Sequence, residues 1–239
     1  MSQVKDIQTA ENANSSNENS YFECEKGKVS SLNLDFGIAE VAVIPSENFS
    51  VETRGISASD IRFVLSDDGT LSISNVRRIK IDYTGFSRGS KILPRILVCI
   101  PKSVSLENIR ISMIAGKFKC SAALKCKFLL LNACACDCII KEFSCVQVKA
   151  RSAFASLELS GKMSGGNSSL ECAAGCMNVN LNGDETDFSY DARIALGDFK
   201  FNQFRKSILF QIMAHDKKKN HIFTSCLLGS LNVSIKKGE

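Results

Sequence analysis

The sequence predicts an all-β fold, a parallel β-solenoid (β-helix) of roughly 20-residue coils with irregular capping strands at both ends. The first observation is a set of four apolar columns in the C-terminal two thirds, whose successive members recur at nearly the same interval, one coil apart. The second is the spacing within each coil, where apolar residues lie two positions apart, the period of a strand and not of a helix. The columns are Ile109, Leu129, Val148, Leu170 and Tyr190; Ile111, Leu131, Ala150, Cys172 and Ala192; Phe118, Cys138, Leu157, Val179 and Phe199; and Cys120, Ile140, Leu159, Leu181 and Phe201.

Residues 27–239 are predicted to form a single domain, with the regular coils over residues 105–203. Residues 27–104 are predicted to hold an N-terminal coil and cap, because Leu32 and Leu34 precede Val41 at the spacing of the columns and less regular strands follow. One such strand is predicted at Ile79–Ile81, and the segment Asp67–Gly69 predicts a hairpin turn. Residues 1–22 lack periodicity, are rich in Asn and Ser, and are predicted to be a disordered polar tail.

The last coil is predicted within residues 204–239, after an insertion. Leu228–Val233 repeats the pattern of Leu196–Phe201 after a longer step than the other coils show, so Leu231 and Val233 continue two columns. The apolar stretch Ile208–Met213 is predicted to be an extra strand that leaves the stack and caps its C-terminal end. Glycine suits a turn that needs a positive φ. The candidate turn residues before the columns are Gly116, Gly197, Asp198 and Gly229.

The charge balance does not indicate a polyanion partner. Lys and Arg total 30 against 25 acidic residues, a formal net charge of +5, which is modest for this length. Two basic runs, residues 77–80 and Lys217–Lys219, are predicted to be solvated turns or strand edges. Contact with RNA or with an anionic membrane surface is the alternative for these runs, but no aromatic residues are interleaved with them. We therefore predict no nucleic-acid partner.

The sequence shows no secretory leader and no apolar run of about 18 residues, so we expect a cytoplasmic location and no transmembrane span. The 11 cysteines are odd in number and spread through strand positions. That distribution is typical of a reducing compartment and not of the disulfide framework of a small secreted protein.

The segment Cys134–Cys138 is the densest group of thiols. Cysteine behaves as a small apolar residue in a packed core, and Cys138 falls in an apolar column. Thiolates are also soft ligands for zinc, copper(I) or iron–sulfur clusters. Cys134 and Cys136, which are predicted to belong to the turn, are therefore weak candidates for a metal or redox site, and no cofactor is predicted.

No catalytic constellation emerges from the residue pattern. Outward positions beside the columns mix acids with lysines and amides, so no pair of carboxylates is predicted to converge as glycoside hydrolysis requires. His215 and His221 flank the Lys217–Lys219 run and are predicted to lie in a solvated turn. No P-loop or dinucleotide-binding fingerprint is present. The chain is therefore predicted not to be an enzyme.

Three places resemble the bacterial putative-adhesin, β-strand-repeat family, a domain of unknown function: Leu34–Pro45, Ile96–Lys102 followed by Leu106–Ser112, and Leu196–Phe201. The resemblance runs from about Gly27 to the C-terminus. It implies a β-solenoid with Gly-Asp turns, no catalytic residues, and relatives that are often exported or membrane-linked. Only Gly197-Asp198 keeps the Gly-Asp pair. The corresponding positions elsewhere read Gly116-Lys117, Cys136-Asp137, Ala155-Ser156, Met177-Asn178 and Gly229-Ser230.

These observations predict a non-enzymatic structural or binding solenoid that acts through a protein partner or through self-association. A carbohydrate-binding or carbohydrate-active β-helix is the first alternative, and a thiol-based metal or redox protein centred on Cys134 and Cys136 is the second.

Overall fold

The computed structural model describes residues 19–56, 58–75, 93–214 and 216–237. Within these ranges nearly all of the structure is strand and no α-helix occurs, so the predicted all-β class is confirmed. Single turns of 3-10 helix lie at Lys26–Lys28, Ala58–Asp60 and Glu185–Asp187. The strands are β1 (Asn19–Cys24), β2 (Ser31–Ser46), β3 (Phe49–Arg54), β4 (Ile61–Leu65), β5 (Thr70–Asn75), β6 (Arg95–Pro101), β7 (Leu106–Cys120), β8 (Leu124–Met163), β9 (Gly166–Asn182), β10 (Phe188–Ile194), β11 (Asp198–Phe201), β12 (Phe204–Ser207), β13 (Phe210–Ile212) and β14 (Asn220–Lys236).

In the described part of the chain these strands form one mixed sheet. The main path runs β1-β3-β6-β2-β7-β8-β9-β14-β10-β13, with β5 also beside β2 and β11 also beside β14. The pairs β2–β7, β7–β8, β8–β9 and β9–β14 are parallel. Antiparallel pairs lie toward the two ends, at β1–β3, β3–β6, β10–β13 and β11–β12.

Each long strand consists of segments in which buried apolar residues alternate with more exposed ones, and the chain bends around the core between these segments. In β7, Met113 and Phe118 are both buried although an odd number of positions separates them. Alternate side chains of a straight strand point to opposite faces, so the chain must turn between these two residues for both to reach one core. Gly116 lies in this bend with a φ of 108°. The two halves of β7 therefore line different walls of the same core.

Parallel neighbours in the middle of the sheet are offset by the length of one predicted coil. Strand β7 aligns Ile109 with Leu129 and Phe118 with Cys138, and β8 aligns Leu157 with Met177 of β9. The predicted step from Leu157 to Val179 is therefore wrong, because it places the column residue of β9 two positions too late. Met177, Val179 and Leu181 are all buried, so alternation alone allows this shift.

The C-terminal strand does not follow β11 at the outside of the sheet. Strand β14 lies between β9 and the outer strands β10 and β11, and pairs with all three in parallel. Strand β2 occupies the equivalent place at the other end, between β7 and the outer strands β5 and β6. At each end, a terminal segment of the chain is thus covered by strands that come from further inside the sequence.

The polar tail predicted over residues 1–22 is too long, because Asn19–Cys24 forms β1 and pairs with β3. Residues 1–18, the predicted strand Ile79–Ile81, the basic run at 77–80 and His215 lie outside the described residues.

Candidate functional site

The outer surface of the bend is apolar on seven neighbouring passes of the chain. Each pass places two small or apolar residues there, four and three positions before the first column residue that follows the bend. The register aligns Ile38 with Ala115, Ala115 with Ala135, and Phe154 with Ala174 and Leu228. No pair contains a charged or amide side chain. This surface, the apolar band, consists of Gly37–Ile38, Ile114–Ala115, Cys134–Ala135, Ala153–Phe154, Ala173–Ala174, Leu227–Leu228 and Ala195–Leu196.

Large side chains of the apolar band are exposed. Phe154 is 76% accessible, Leu196 62%, Ile114 55%, Leu227 54% and Leu228 49%. Single exposed apolar residues are ordinary, whereas contiguous exposed patches mark interaction sites. Here they adjoin, since Leu228 aligns with Ala174 and Phe154 across the sheet, and the Leu196 N–H donates to the Leu227 carbonyl at 2.8 Å.

The apolar band ends at two residues in the left-handed region of backbone conformation. Ile208 and Leu209, between β12 and β13, have φ values of 60° and 45°, and Leu209 is 81% exposed. Their N–H groups donate to the carbonyls of Gly197 and Ala195 at 3.2 and 2.7 Å. A β-branched residue such as isoleucine strongly disfavours positive φ. The fold therefore holds two large apolar side chains in solvent at a cost in backbone strain.

A groove of about 420 Å³ lies along one side of the apolar band, over four of its inner passes. Its floor is made of small side chains, among them Ala133, Cys134, Ala153 and Ala173, and Ile114 lies at one end. The polar side is formed by Ser112 and Asn132 and by the Arg151–Glu171 ion pair at 3.1 Å. Phe154 protrudes beside this groove. The band thus carries a depression and a large apolar side chain next to each other.

Polar residues of both charges flank the apolar band on each side. Arg151 and Glu171 face each other across β8 and β9 on one side. On the other side Lys117 aligns with Asp137, and Asp198 aligns with Ser230. An apolar centre with a mixed polar rim is the usual anatomy of a protein–protein interface.

The residues predicted to form the core columns lie in the interior. All are buried except Tyr190, which is partly exposed and stacks on Phe201 with a centroid distance of 4.1 Å. Val148, Leu157, Leu170, Leu231 and Val233 are among the buried residues of both halves of the bend.

The four predicted turn residues lie at the bend. Gly116 and Gly229 have positive φ values of 108° and 145°. A Cβ atom on Gly116 would lie 2.1 Å from the Ala39 carbonyl oxygen, and one on Gly229 would lie 2.3 Å from that of Gly175. The backbone of the neighbouring strand thus occupies the space of the missing side chain. Gly197 packs against Cys226, and Asp198 accepts a hydrogen bond from Ser207 and lies 4.0 Å from Arg205.

The two candidate thiols are in different surroundings. Cys134 is exposed in the apolar band, whereas Cys136 is buried, although both were predicted to be turn residues. Burial raises the pKa of Cys136 to about 11 and that of Cys120 and Cys126 to about 12, so these groups are protonated at neutral pH. No cluster of three or more His, Cys, Asp or Glu side chains that could hold a metal ion occurs among the residues described.

A serine, a histidine and an aspartate lie together at the C-terminal end. The Ser189 Oγ is 2.8 Å from His221 Nδ1, and His221 Nε2 is 3.3 Å from Asp191 Oδ2. His221 is buried at the start of β14, so its predicted place in a solvated turn is wrong. Sequence spacing alone could not bring these three residues together, because the contact depends on β14 lying beside β10.

The serine and the histidine of this group are closed to solvent. Ser189 and His221 are both buried, and Asp191 lines a surface groove. The Ser189 Oγ accepts the Lys218 N–H at 2.9 Å, and the Asp191 carboxylate accepts the Ala214 N–H at 2.8 Å. The side chains thus fasten the segment before β14 onto β10. We assign them a structural role.

The apolar band itself was missed at the level of the sequence. Its signal is present, since apolar or small pairs precede the column residues Phe118, Cys138, Leu157, Phe199 and Leu231 at a fixed spacing. With Val179 as the column residue of the fourth coil the pair reads Gly175-Cys176, and with Met177, as the register requires, it reads Ala173-Ala174, so the pair is small in either register. Strict alternation does not reveal the bend that brings both residues of each pair to the outer surface.

No family model matches the sequence, and no curated protein matches it. Among solved structures, the chain is similar to a putative cell adhesion protein from Clostridium sporogenes ATCC 15579, with 16% identity over 92% of this chain and 100% of that one and a TM-score of 0.48. It is also similar to a putative adhesin from Bacteroides fragilis NCTC 9343, with 10% identity over 90% of this chain and 96% of that one and a TM-score of 0.38. No helix in the described ranges is long and apolar enough to span a membrane.

Proposed function

We propose that this chain is a non-enzymatic β-solenoid that docks onto a second copy of itself through the apolar band. The parallel offsets support the solenoid architecture, since Phe118 of β7 aligns with Cys138 of β8, and Leu157 of β8 aligns with Met177 of β9. The two offsets are equal and match the length of one predicted coil, as stacked coils require.

The observation that carries the proposal is the continuity of the apolar band. Seven neighbouring passes at about 4.8 Å per strand give a strip about 29 Å long. A patch of this kind on the surface of an isolated protein promotes association. The rim contains both acidic and basic groups, including Arg151, Glu171, Lys117 and Asp137, which suits a protein surface better than a uniformly charged one.

A second copy is the occupant that the shape favours. In a two-fold symmetric pair the same patch faces itself, so each protrusion must find a depression on the same surface. Phe154 protrudes beside the groove floored by Cys134, Ala153 and Ala173. Phe154 of each copy can therefore enter the groove of the other, and burying two phenylalanines supplies the kind of central aromatic anchor that dominates interfaces.

The groove chemistry supports a non-enzymatic role. Glu171 is the single carboxylate that lines the groove on the apolar band, and it is paired with Arg151. Glycoside hydrolysis needs two carboxyl groups flanking the bond, one of them a proton donor. We accordingly prefer the docking function to the carbohydrate-active alternative. All eleven cysteines lie within the described ranges and are free, which fits a reducing cytoplasmic location.

Sedimentation velocity over a concentration series tests the docking proposal. We expect the wild-type chain to dimerise, and Phe154→Asp to weaken the dimer by about a thousandfold, because each dimer loses two anchors worth about 2 kcal/mol each. The matched control is Phe128→Asp, since Phe128 is also exposed but lies outside the apolar band. A wild-type chain that stays monomeric at all concentrations, or equal effects of the two substitutions, contradicts the proposal.

Cross-linking through the exposed Cys134 locates the interface. A short bismaleimide should join two chains because Cys134 lies in the groove, near the expected symmetry axis, and Cys134→Ser should prevent the cross-link. Cys136, two positions further along the chain, is buried and serves as the internal control. A dimer that forms without cross-linking at Cys134 would place the interface elsewhere.

A further inference from the structure

A second groove, of about 520 Å³, lies on the sheet face near the N-terminal end and contains four basic residues. Its size falls within the range of ligand sites, about 300–1,000 Å³. Its floor is formed by Leu97 of β6 and Ala42 of β2, with the buried Ile96 and Val41 behind them. The basic residues are Arg54, Arg95, Lys117 and Lys119, and the acidic residues are Glu40 and Glu52.

The register fixes how these residues are arranged. One row across the sheet reads Arg54, Arg95, Glu40 and Lys117, on β3, β6, β2 and β7. The next row, two positions along each strand, reads Glu52, Leu97, Ala42 and Lys119. Three strand spacings separate the walls on β3 and β7 by about 14 Å, and Lys117 lies about 7 Å from Lys119 along β7. The groove is thus walled by charge on both sides, and its centre holds the Arg95–Glu40 pair in one row and the apolar Leu97 and Ala42 in the next.

Several of the cations have no partner. Arg95 pairs with Glu40 at 3.1 Å, so these two charges offset each other. Arg54, Lys117 and Lys119 form no ion pair within the described part of the chain. Glu52 is the remaining carboxylate. The unpaired groups therefore leave a net positive groove, with both lysines on the β7 wall and an arginine on the opposite wall.

We propose that this groove binds an acidic oligosaccharide, a short sugar chain that carries carboxylate or sulfate groups. The acidic groups would contact Lys117, Lys119 and Arg54, whose planar fork suits oxyanions. The C–H faces of the sugar rings would lie on Leu97 and Ala42. Glu52 accepts hydrogen bonds from hydroxyl groups, of which a sugar has many.

An acidic peptide fits this groove less well. Peptides bind to sheets chiefly by adding a strand, which needs a free row of backbone donors and acceptors at an edge. Here β6 pairs with both β3 and β2, and β2 pairs with both β6 and β7. The floor therefore offers side chains alone. A sugar chain needs no backbone partner, because its hydroxyls and acidic groups reach the side chains of the walls.

Isothermal titration calorimetry with tetragalacturonate and with a heparin-derived tetrasaccharide tests the proposal. At least one of these probes should bind, more weakly as salt is raised, while neutral maltotetraose should not. Lys117→Gln/Lys119→Gln should weaken binding by about tenfold, or 1.4 kcal/mol. The matched control, Lys125→Gln/Lys162→Gln, removes the same charge from exposed positions outside the groove and should change affinity by less than about twofold. Glu52→Gln should tighten binding of the acidic probe.

Any of the following three outcomes overturns the inference. No binding of either acidic probe, or equal binding of maltotetraose, shows that the groove is not an acidic-sugar site. Equal losses in the two double variants, both still folded by circular dichroism, show attraction by overall charge alone. Equal affinity for tetraglutamate shows that the groove recognises acidic groups without regard to sugar. Lys117 also lies on the rim of the apolar band, so sedimentation velocity on the Lys117→Gln/Lys119→Gln variant separates a change in dimerisation from a change in sugar binding.

Discussion

At each end of the sheet an inner strand is covered by outer strands, but the order in which these strands occur along the chain is opposite at the two ends. At the N-terminal end β2 is made first, the outer strands β5 and β6 cover it, and β7 then pairs with its free side. At the C-terminal end the outer strands β10 and β11 are made before β14, which enters between them and β9. An outermost strand that lacks a covered neighbour would present an open edge for pairing. Both ends therefore enclose a terminal segment.

The two ends differ in the strand pairing that remains when the first strand of the chain, β1, or the last strand, β14, is removed. Without β1, strand β3 still pairs with β6, so the N-terminal end loses only its outermost strand. Without β14, neither β10 nor β11 has a remaining pair to the body of the sheet, since β10 pairs otherwise with β13 and β11 with β12. Each end is thus joined to the body through one enclosed strand, but β14 is the last strand of the chain, whereas β2 is preceded by β1 and stays in place when β1 is removed.

Ending the chain at Lys219 is expected to have the largest effect. Strand β14 aligns with β9 from Asn220 to Lys236 and carries the buried Ile222, Leu231 and Val233. Its loss exposes apolar surface on both neighbours, so we expect residues 188–214 to lose amide-exchange protection entirely and the chain to aggregate. The control truncation begins at Glu25 and removes β1. Hydrogen exchange that remains protected over β10 without β14 would contradict this dependence.

Replacing one glycine by alanine beside each enclosed strand, β2 and β14, compares the stability of the two ends directly. Gly116 meets the Ala39 carbonyl at the junction of β7 and β2, and Gly229 meets the Gly175 carbonyl at the junction of β14 and β9. Both glycines have positive φ. Each substitution by alanine therefore forces a disfavoured backbone conformation and a clash, and should lower the free energy of unfolding by about 3 kcal/mol or more.

Urea unfolding measures these losses, and hydrogen exchange locates them. We expect Gly116→Ala to reduce protection in β2 and Gly229→Ala to reduce it in β14. Gly55→Ala serves as a control, because Gly55 also has a positive φ of 72° but nothing lies within 4 Å of its added Cβ; it should cost only about 1 kcal/mol. If Gly55→Ala is as harmful as the other two, the close approach of the strands contributes nothing.

The sequence was sufficient for the strand period and for most of the core, because alternation directly reports which face of a strand is buried. The same period explains the register error in β9, because Met177, Val179 and Leu181 lie two positions apart and fit the alternation equally well. The residue that marks the bend in β9 is Gly175, which aligns with Gly229. The pairs of the apolar band are small or apolar in either register, so this error does not hide them. The candidate site was missed because alternation does not reveal the bend that turns both residues of each pair outward.

The order of the strands at the two ends was not predictable from the repeat. The pattern of Leu228–Val233 does match that of Leu196–Phe201, and the structure aligns Phe199 with Leu231. A repeat specifies which residues share a column, but it does not say on which side of its neighbour a strand lies. The contact between Ser189 and His221 depends on β14 lying beside β10. The burial of His221, which was predicted to be solvated, depends on the same arrangement.

The smallest expected effect is the dependence of the C-terminal end on pH. Burial alone would raise the pKa of Asp191, but the Ala214 N–H, His221 and Lys217 lower it, and the net pKa lies below the usual value. A depressed pKa in the folded state means that the ionised carboxylate stabilises the fold above the unfolded pKa of about 3.9. That contribution is lost as pH falls through the folded pKa.

Hydrogen exchange between pH 5 and pH 3, corrected for intrinsic rates, measures this effect at the Ala214 amide. We expect protection there to fall by a few-fold on acidification in the wild-type chain, and Asp191→Asn to remove most of the pH dependence, because the amide accepts the same hydrogen bond without titrating. The amide of Ser121, which donates to the Val43 carbonyl at the N-terminal end, is the internal reference. An equal acid response at Ser121 and Ala214 would show general acid loosening, and it would remove the difference between the two ends.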